Sequence, residues 1–216
     1  MRGPWVKICG MTRAEDIRHA ASLGAHAVGI ILVPESPRAV TPDAARTLLE
    51  VAPDSTARVA VTANLSARAM HAMISGSRFT AIQAHGEEPP ELLERYPLPV
   101  VKAVRTRPEL GVADLEMYRR WPLLLDGYAP DARGGTGRAA DPELAVRLRE
   151  AGFRILLAGG LAAGNLRSAV ETVRPLAVDL NSGVEEAPGR KNPDAVRLAL
   201  QQLEGLAPPE EATWPW

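Results

Sequence analysis

Short apolar segments alternate with helix-like segments along the chain, and this alternation restricts the possible folds more than any other feature. Each apolar segment has the length and composition of a buried parallel strand. We predict eight such strands, over residues 5–9, 27–32, 58–62, 79–83, 99–104, 123–126, 154–158 and 177–180. Eight repeated strand–helix units favour a closed (β/α)8 TIM barrel in the α/β class, with an open doubly wound sheet as the alternative.

Amphipathic segments between the strands predict the outer helices of this barrel. The predicted helices span residues 13–23, 42–51, 67–74, 141–151 and 163–173. Two of them follow cap-like starts, at Thr41-Pro42 and Asp141-Pro142. Prolines at 89, 90 and 108 interrupt the helical pattern after the fourth and fifth strands, so the helices there are expected to be fragmentary.

Length and composition favour one soluble enzyme-sized domain. The chain has 216 residues, of which 46% are hydrophobic, enough for one large core. We predict a barrel domain over residues 1–206 and a Pro-rich tail over residues 207–216. No signal-peptide pattern and no apolar run of membrane-spanning length is present, which predicts a cytoplasmic protein with no membrane partner.

Charge and cysteine content restrict the partners further. A formal net charge of -1 and only 4% aromatic residues argue against a nucleic-acid surface, so a small molecule is the expected partner. The single cysteine excludes an internal disulfide and any metal site built from several cysteines. Whether the chain is a monomer or a homodimer does not follow from its composition.

The residues that follow each predicted strand carry unusually many reactive groups. In a TIM barrel these residues lie together on the catalytic face. They include Cys9 after the first strand, Arg38 after the second, His85 after the fourth and Asp126 at the end of the sixth. The catalytic chemistry is therefore predicted to lie at these strand ends.

Glycines after the seventh and eighth strands predict a phosphate site. Backbone N–H groups of Gly159, Gly160, Ser182 and Gly183 could approach an anion closely, in the part of a barrel that commonly binds phosphate. The alternative is that these glycines only form tight turns. The glycine-rich segment 134–137 is either a lid over the phosphate or an ordinary loop, and it is not a P-loop, because no Gly-Lys-Ser/Thr follows.

A carboxylate site and a buried ion pair are also predicted. The planar guanidinium of Arg38 suits a substrate carboxylate, although a solvated loop arginine is the alternative. Alternation along the first strand places Lys7 one layer below Cys9, and the eighth strand adjoins the first in a closed barrel. Asp179 is then the expected partner of Lys7. The competing interpretation is a Schiff-base lysine.

Cys9 and Asp126 are the candidate base and acid. A thiol can act as a base when a nearby cation or helix N-terminus raises its thiolate fraction. A carboxyl can act as an acid at neutral pH when burial or a neighbouring negative charge raises its pKa. The alternatives are an inert buried cysteine and an aspartate that caps the following loop.

Seven blocks in order, between Val6 and about Leu200, resemble the phosphoribosylanthranilate isomerase family of tryptophan biosynthesis. The blocks are Lys7-Ile8-Cys9-Gly10-Met11-Thr12, Ser36-Pro37-Arg38, Gln83-Ala84-His85-Gly86-Glu87, Leu125-Asp126, Gly134-Gly135-Thr136-Gly137, Leu157-Ala158-Gly159-Gly160-Leu161 and Asp179-Leu180-Asn181-Ser182-Gly183-Val184-Glu185 with Pro188-Gly189.

The resemblance implies an Amadori rearrangement of N-(5-phosphoribosyl)anthranilate, with no metal and no cofactor. It implies that Asp126 protonates the ribose ring oxygen, that Cys9 removes the C2 proton and that Arg38 faces the anthranilate carboxylate. The loops after strands six to eight would hold the phosphate, and His85 and Asp179 would contact the substrate. The expected phosphate-binding residues are Gly135, Gly137, Gly159, Gly160, Ser182 and Gly183.

The chain departs from the pattern of this family at five positions. Aromatic or larger side chains, or a second serine, are usual at the positions occupied by the residues Ile30, Ala84, Ala140, Pro142 and Asn181. These changes predict a looser aromatic pocket or lid and leave the acid, the base and the arginine unchanged.

Three other functions remain open from the residues alone. A metal-dependent phosphosugar epimerase would need several His and carboxylate ligands at strand ends, where only His85 qualifies among the histidines. A Schiff-base aldolase would need a free Lys7 amine. A non-catalytic phosphate-binding barrel would not need both Cys9 and Asp126.

Overall fold

Eight parallel strands close into a barrel, with each strand beside its neighbours in chain order and the last paired with the first. The computed structural model describes residues 3–127 and 141–207. The strands are β1 (Trp5–Ile8), β2 (Ala27–Ile31), β3 (Ala57–Thr62), β4 (Ala81–Ala84), β5 (Val100–Thr106), β6 (Leu123–Gly127), β7 (Ile155–Leu157) and β8 (Ala177–Leu180). The prediction of a closed barrel is confirmed, and the open sheet is excluded.

Helices on the outside of the barrel connect the strands. The described helices are α1 (Ala14–Ser22), α2 (Pro42–Leu49), α3 (Ala67–Ile74), α4 (Pro90–Leu93), α5 (Pro142–Glu150), α6 (Leu166–Val173) and α7 (Pro193–Gln201). Both predicted caps are present. The Thr41 side chain accepts a hydrogen bond from the Ala44 N–H, and that of Asp141 accepts from Glu143 and Leu144.

The connections around β5 are irregular, as the prolines predicted. Helix α4 is a single turn of four residues, and a 3-10 helix over Ala113–Tyr118 joins β5 to β6. Strand β4 begins two residues later than the sequence indicated, because its pairing with β3 starts at Ala81 opposite Val59. Phe79 is buried in the core just before this strand.

A small antiparallel hairpin after β8 was not predicted. A 3-10 helix over Ser182–Val184 leads into β9 (Glu185–Ala187), which pairs with β10 (Arg190–Lys191). Gly189 lies at the turn with φ +80°, where an L side chain would be strained. The hydroxyl of Thr12 donates a hydrogen bond to the Gly189 carbonyl, which ties the hairpin to the loop after β1.

Alternation along each strand separates two apolar layers. Val6 and Ile8 face outward and pack among the residues that lie between the barrel and its helices. Leu124 and Leu156 face inward and belong to the cluster that fills the barrel, against which Trp5 packs. Because side chains alternate, Lys7 and Cys9 share the inward face of β1 with Trp5, as predicted.

The two layers stabilise the barrel, and the polar residues of its interior are concentrated at one end. Each large apolar side chain that is fully buried, such as Ile8, contributes roughly 1.5–3 kcal/mol of favourable free energy. The inward face carries apolar residues low in the barrel and polar residues at its carboxyl end.

Among the described residues, no helix is both long and apolar enough to cross a membrane. The predicted tail lies outside the described residues from position 208 onward.

Candidate active site

An open pocket of about 990 Å³ lies at the carboxyl end of the barrel. Most of the residues predicted from the sequence line it together. They are Cys9, Arg38, His85, Asp126, Gly159, Gly160, Asp179, Ser182 and Gly183. The two other predicted phosphate-binding residues, Gly135 and Gly137, lie outside the described residues, as does the whole glycine-rich segment 134–137.

A buried ion pair lies beneath the pocket, across the seam between the first and last strands. Lys7 is opposite Asp179 in the β1–β8 ladder, and its Nζ atom lies 2.7 Å from Asp179 Oδ2. The Lys7 side chain is completely buried. This pairing confirms the predicted partner of Lys7.

The ion pair favours the protonated form of Lys7. Burial alone would lower the pKa of Lys7, but the negative charges of Asp179 and Cys9 outweigh burial and raise it. A protonated, hydrogen-bonded amine is a poor nucleophile, which argues against a Schiff-base aldolase. Burial also raises the pKa of the Asp179 carboxyl, and this rise is opposed by Lys7 and increased by Asp126.

Cys9 lies just beyond the end of β1, one layer above Lys7. Its backbone N–H donates to the Leu180 carbonyl at 2.8 Å, and its side chain packs against Ile31 and Val61. Burial raises the pKa of the Cys9 thiol, while the cations of Lys7 and Lys191 oppose that rise. The apolar surroundings therefore disfavour the Cys9 thiolate, whereas the cations of Lys7 and Lys191 favour it.

Asp126 extends from the inward face of β6 toward His85. Its Oδ2 atom lies 3.4 Å from Nε2 of His85, and its backbone carbonyl accepts a hydrogen bond from the Thr106 hydroxyl at 3.0 Å. The Gln83 side-chain amide contacts Nδ1 of His85 at 3.0 Å. When the amide nitrogen is the donor, Nδ1 accepts and the imidazole proton is on Nε2, facing Asp126.

Arg38 is buried and paired rather than solvated. Its Nε atom lies 3.0 Å from both carboxylate oxygens of Glu185, and Nη2 lies 2.7 Å from Oε2. Glu185 also accepts from Lys191 Nζ at 2.8 Å. Burial by itself would raise the pKa of Glu185, but hydrogen bonds and charges from Arg38 and Lys191 lower it below the ordinary value.

This network attaches the hairpin to the pocket. Lys191 is 2% exposed, and its amine also donates to Asn181 Oδ1 at 3.0 Å. Glu185 holds the Nε–Nη2 edge of Arg38. Arg38 is thus fixed in direction by residues of β9 and β10, and its role toward a carboxylate stays a prediction.

The two glycine-bearing loops after β7 and β8 are in close contact. A Cβ atom added at Gly183 would overlap the carbonyl oxygen of Leu161. Gly159 and Gly160 have φ values of +79° and +59°, a backbone conformation that favours glycine. These positions bring backbone of both loops to one corner of the pocket, which is the geometry that an anion-binding corner needs.

A second buried ion pair supports the loop that carries His85. Lys102 Nζ lies 3.0 Å from Glu88 Oε2 and also donates to the Gly86 carbonyl. Glu88 accepts hydrogen bonds from the backbone N–H groups of Asn64 and Gly86. Burial lowers the pKa of Lys102, while the Glu88 charge opposes this change.

The residues that depart from the family pattern lie in different parts of the structure. Ile30 and Ala84 are both buried outside the barrel wall, in the layers that pack against helices. The expectation that they loosen the aromatic pocket is therefore wrong for these two positions. Pro142 begins α5, Asn181 holds Lys191, and Ala140 lies outside the described residues.

Several contributing residues were missed by the sequence analysis. Glu185 stood within a recognised block but received no role, because nothing in its spacing indicates that it would meet Arg38. Lys191, Glu88 and Lys102 carried no motif at all. Within the described ranges, no group of three or more His, Cys, Asp or Glu side chains could hold a metal ion.

Comparison with known proteins gives consistent matches over nearly the whole chain. The profile of the family described as PRAI, N-(5'phosphoribosyl)anthranilate (PRA) isomerase, matches residues 6–202. A protein of Syntrophus aciditrophicus (strain SB) named N-(5'-phosphoribosyl)anthranilate isomerase is 39% identical over 210 residues, covering 95% of this chain and 91% of that protein.

Solved structures agree in both fold and sequence. The crystal structure of phosphoribosyl anthranilate isomerase from Thermus thermophilus has a TM-score of 0.84 and 40% identity, covering 94% of this chain and 98% of that chain. A structure of such an isomerase in complex with reduced 1-(o-carboxyphenylamino)-1-deoxyribulose 5-phosphate has a TM-score of 0.82 and 35% identity, covering 94% of this chain and 100% of that chain.

Proposed function

The chain belongs to the N-(5'-phosphoribosyl)anthranilate isomerase family, and we propose that it uses Cys9 as general base and Asp126 as general acid in the reaction of that family. The reaction is the Amadori rearrangement of N-(5-phosphoribosyl)anthranilate to 1-(2-carboxyphenylamino)-1-deoxyribulose 5-phosphate in tryptophan biosynthesis. One observation carries the assignment of roles. A thiol at the end of β1 and a carboxyl on the inward face of β6 line the same pocket.

Asp126 opens the ribose ring. Its carboxylic acid donates a proton to the ring oxygen, the bond from that oxygen to C1 breaks, and the anthranilate nitrogen becomes an iminium. Nε2 of His85 lies 3.4 Å from Asp126 Oδ2, beside this carboxyl. Proton transfer from a positioned acid of this kind contributes typically about 10²–10⁴-fold to a rate.

Cys9 completes the isomerisation. Its thiolate takes the C2 proton, the electron pair moves into the C1–C2 bond, and the iminium becomes an enolamine. The enolamine then gains a proton at C1 and loses one from the C2 hydroxyl, giving the ketone. Only protons are relocated, so the chemistry of the reaction requires no electron acceptor or donor.

Binding groups match the two charged ends of this substrate. Arg38, preoriented by Glu185, is assigned to the anthranilate carboxylate, because a guanidinium pairs well with a carboxylate. Gly159, Gly160, Ser182 and Gly183 are assigned to the phosphate, together with Gly135 and Gly137 beyond the described residues. Both ends would then be held while the acid and base act on the ribose between them.

The sugar portion is assigned to His85 and Asp179. The Oδ1 atom of Asp179 and Nε2 of His85 are buried without a hydrogen-bond partner among the described residues. Buried polar atoms of this kind are costly unless a ligand or water satisfies them. Asp179 offers an acceptor and His85 a donor, which suits the hydroxyl groups of a ribose chain.

The test is the loss of substrate fluorescence when the purified protein meets N-(5-phosphoribosyl)anthranilate. The parent is expected to turn over, whereas Cys9→Ala and Asp126→Ala lose at least about a hundredfold in kcat. Both variants should still bind reduced 1-(o-carboxyphenylamino)-1-deoxyribulose 5-phosphate. Asp43→Asn, on the exposed first turn of α2, serves as the control and should match the parent.

Failure of the parent to react while binding persists would remove the isomerase assignment. Turnover that survives in Cys9→Ala or Asp126→Ala would remove that residue from its role while leaving the reaction in place. A cytoplasmic location and a monomeric or homodimeric state also remain predictions. Light scattering on the purified full chain distinguishes the two oligomeric states.

A further inference from the structure

Gly29 leaves a gap on the inward face of β2, beside the end of β1. A Cβ atom placed on Gly29 would lie 2.8 Å from Cys9 Sγ, 2.9 Å from Lys7 Cε and 3.0 Å from Lys7 Nζ. Real Cβ atoms essentially never come as close as the first two distances, and the third is tighter than nine in ten real Cβ contacts. The Lys7 ammonium and the Cys9 sulfur therefore occupy space that any other residue at position 29 would take.

The Lys7 ammonium has donor capacity beyond its ion pair. An ammonium carries three N–H donors. One is directed to Asp179 Oδ2 at 2.7 Å, and Nζ borders the gap at Gly29 that Cys9 Sγ also borders. Lys7 thus pairs with the carboxylate at the barrel seam, and its ammonium shares the Gly29 gap with the sulfur assigned as the base.

Three charged groups act on the Cys9 thiol, each from a different strand. Lys7 on β1 and Lys191 on β10 favour the thiolate, whereas Asp179 on β8 opposes it. Lys191 is 2.8 Å from the Glu185 carboxylate and is partly neutralised by it. Lys7 is the larger of the two favourable influences on Cys9.

We propose that Lys7 is a positioning residue for the reaction, and that Gly29 is the residue that allows it to act. The Lys7 ammonium stabilises the Cys9 thiolate until the thiolate accepts the C2 proton. Once the thiol is neutral, Asp179 still pairs with Lys7, so the reaction does not leave the lysine as an isolated buried charge. The proposal rests on the assignment of Cys9 as the base.

This role extends the structural function expected of Lys7 from the sequence. The Lys7 side chain fills the gap at Gly29, and the same gap places its ammonium near the Cys9 sulfur. The absence of a side chain at position 29 costs apolar contact in the middle of a strand, where glycine is also unfavourable by roughly 0.5–1 kcal/mol relative to alanine. An enlarged residue there would improve the strand and displace the cation.

The thiol can be titrated directly, because Cys9 is the only cysteine in the chain. Thiolate absorbance at 240 nm is recorded against pH, and the same titration of Cys9→Ala is subtracted to remove tyrosine ionisation. Gly29→Ala is expected to raise the thiol pKa by about one unit, a tenfold loss of thiolate below that pKa. Gly164→Ala, where an added Cβ meets nothing within 4 Å, is the matched control.

Kinetics give a second readout. Gly29→Ala should lower kcat about tenfold at neutral pH with little change in KM, and the deficit should narrow at alkaline pH, where both proteins hold thiolate. Lys7→Met provides an independent variant, with circular dichroism to show that it folds. It should raise the thiol pKa as well, since it removes the cation without filling the gap.

The outcomes distinguish the role of Lys7 from the proposed isomerase function. A thiol pKa that is unchanged from the parent in either folded variant would overturn the role of Lys7, even if the parent is an active isomerase. An inactive parent would contradict the proposed function, but the substrate-free titration would still report on the contact between Lys7 and Cys9. A rise in the thiol pKa together with a pH-dependent loss of kcat supports both.

Discussion

The Glu185 carboxylate accepts hydrogen bonds from one edge of the Arg38 guanidinium, with Nη2 2.7 Å from Oε2 and Nε 3.0 Å from each carboxylate oxygen. The arginine comes from the loop after β2 and the glutamate from the hairpin that follows β8. The side chains are 9% and 4% exposed. A buried pair of this geometry fixes the direction of the guanidinium before any substrate arrives.

Replacing Glu185 by glutamine should impair recognition of the substrate carboxylate. The amide keeps the shape but loses the charge that orients Arg38 and neutralises Lys191. We expect KM to rise about tenfold, the equivalent of one charge-assisted hydrogen bond. Glu186→Gln, whose side chain is 43% exposed, is the control in steady-state assays. An unchanged KM in Glu185→Gln would show that Arg38 needs no orientation.

The same pair predicts a pH dependence of stability. The pKa of Glu185 is lower in the folded protein than its ordinary value of 4.5. Its contribution is therefore present above the ordinary pKa and is lost as the pH falls through the lowered value. In urea unfolding, the gap in unfolding free energy between parent and Glu185→Gln should be constant from pH 7 to 5 and shrink below 4.5. A gap that widens on acidification would contradict this sign.

His85 is expected to matter through Asp126 and the sugar. His85→Ala removes the group 3.4 Å from the acid, so kcat/KM should fall about 10- to 100-fold. His71→Ala, at an exposed position on α3, should leave the rate unchanged and controls for loss of a histidine. Equal rates in parent and His85→Ala would mean that Asp126 is oriented by other groups.

Gly183 tests the phosphate corner. A methyl group there would force the loop after β8 away from the Leu161 carbonyl. Overpacking of this kind costs about 1–3 kcal/mol, so affinity for the phosphorylated product analogue should fall about 10- to 100-fold in Gly183→Ala. Gly164→Ala, in open space, should bind as the parent does by calorimetry. Retained affinity in Gly183→Ala would place the phosphate elsewhere.

The Lys102–Glu88 pair is predicted to behave as a unit. Removing one partner leaves a buried charge, so Lys102→Met or Glu88→Gln should each cost about 3–5 kcal/mol of unfolding free energy. The double variant Lys102→Met/Glu88→Gln should lose less than the sum of the two single losses, measured by denaturant unfolding in a double-mutant cycle. Additive losses would indicate two independent contributions.

Periodicity was sufficient to predict the barrel. Each strand is a short apolar run whose inward and outward positions alternate, and closure brings the strand ends together without further information. The same logic correctly paired Lys7 with Asp179, because both lie at the same height on neighbouring strands. Because both residues lie at strand ends, the same reasoning predicts that Cys9 and Asp126 line one pocket, as they do.

Strand periodicity could not predict the residues that orient the site. Glu185 reaches Arg38 only because the chain turns back in a hairpin at Gly189, and no periodic pattern marks so short an element. Lys102 faces away from the barrel interior and still supports His85 through the Gly86 carbonyl and Glu88. Such contacts depend on loop paths, which local sequence does not specify.

The bridge between Lys7 and Asp179 has a consequence for how the protein is made. The two residues join the first and last strands, so the cation beneath Cys9 acquires its counterion only when the ring of strands is complete. A nascent chain that has not yet emerged beyond Asp179 holds Lys7 without this partner. Synthesis must therefore pass the eighth strand before the buried Lys7 ammonium can acquire its counterion.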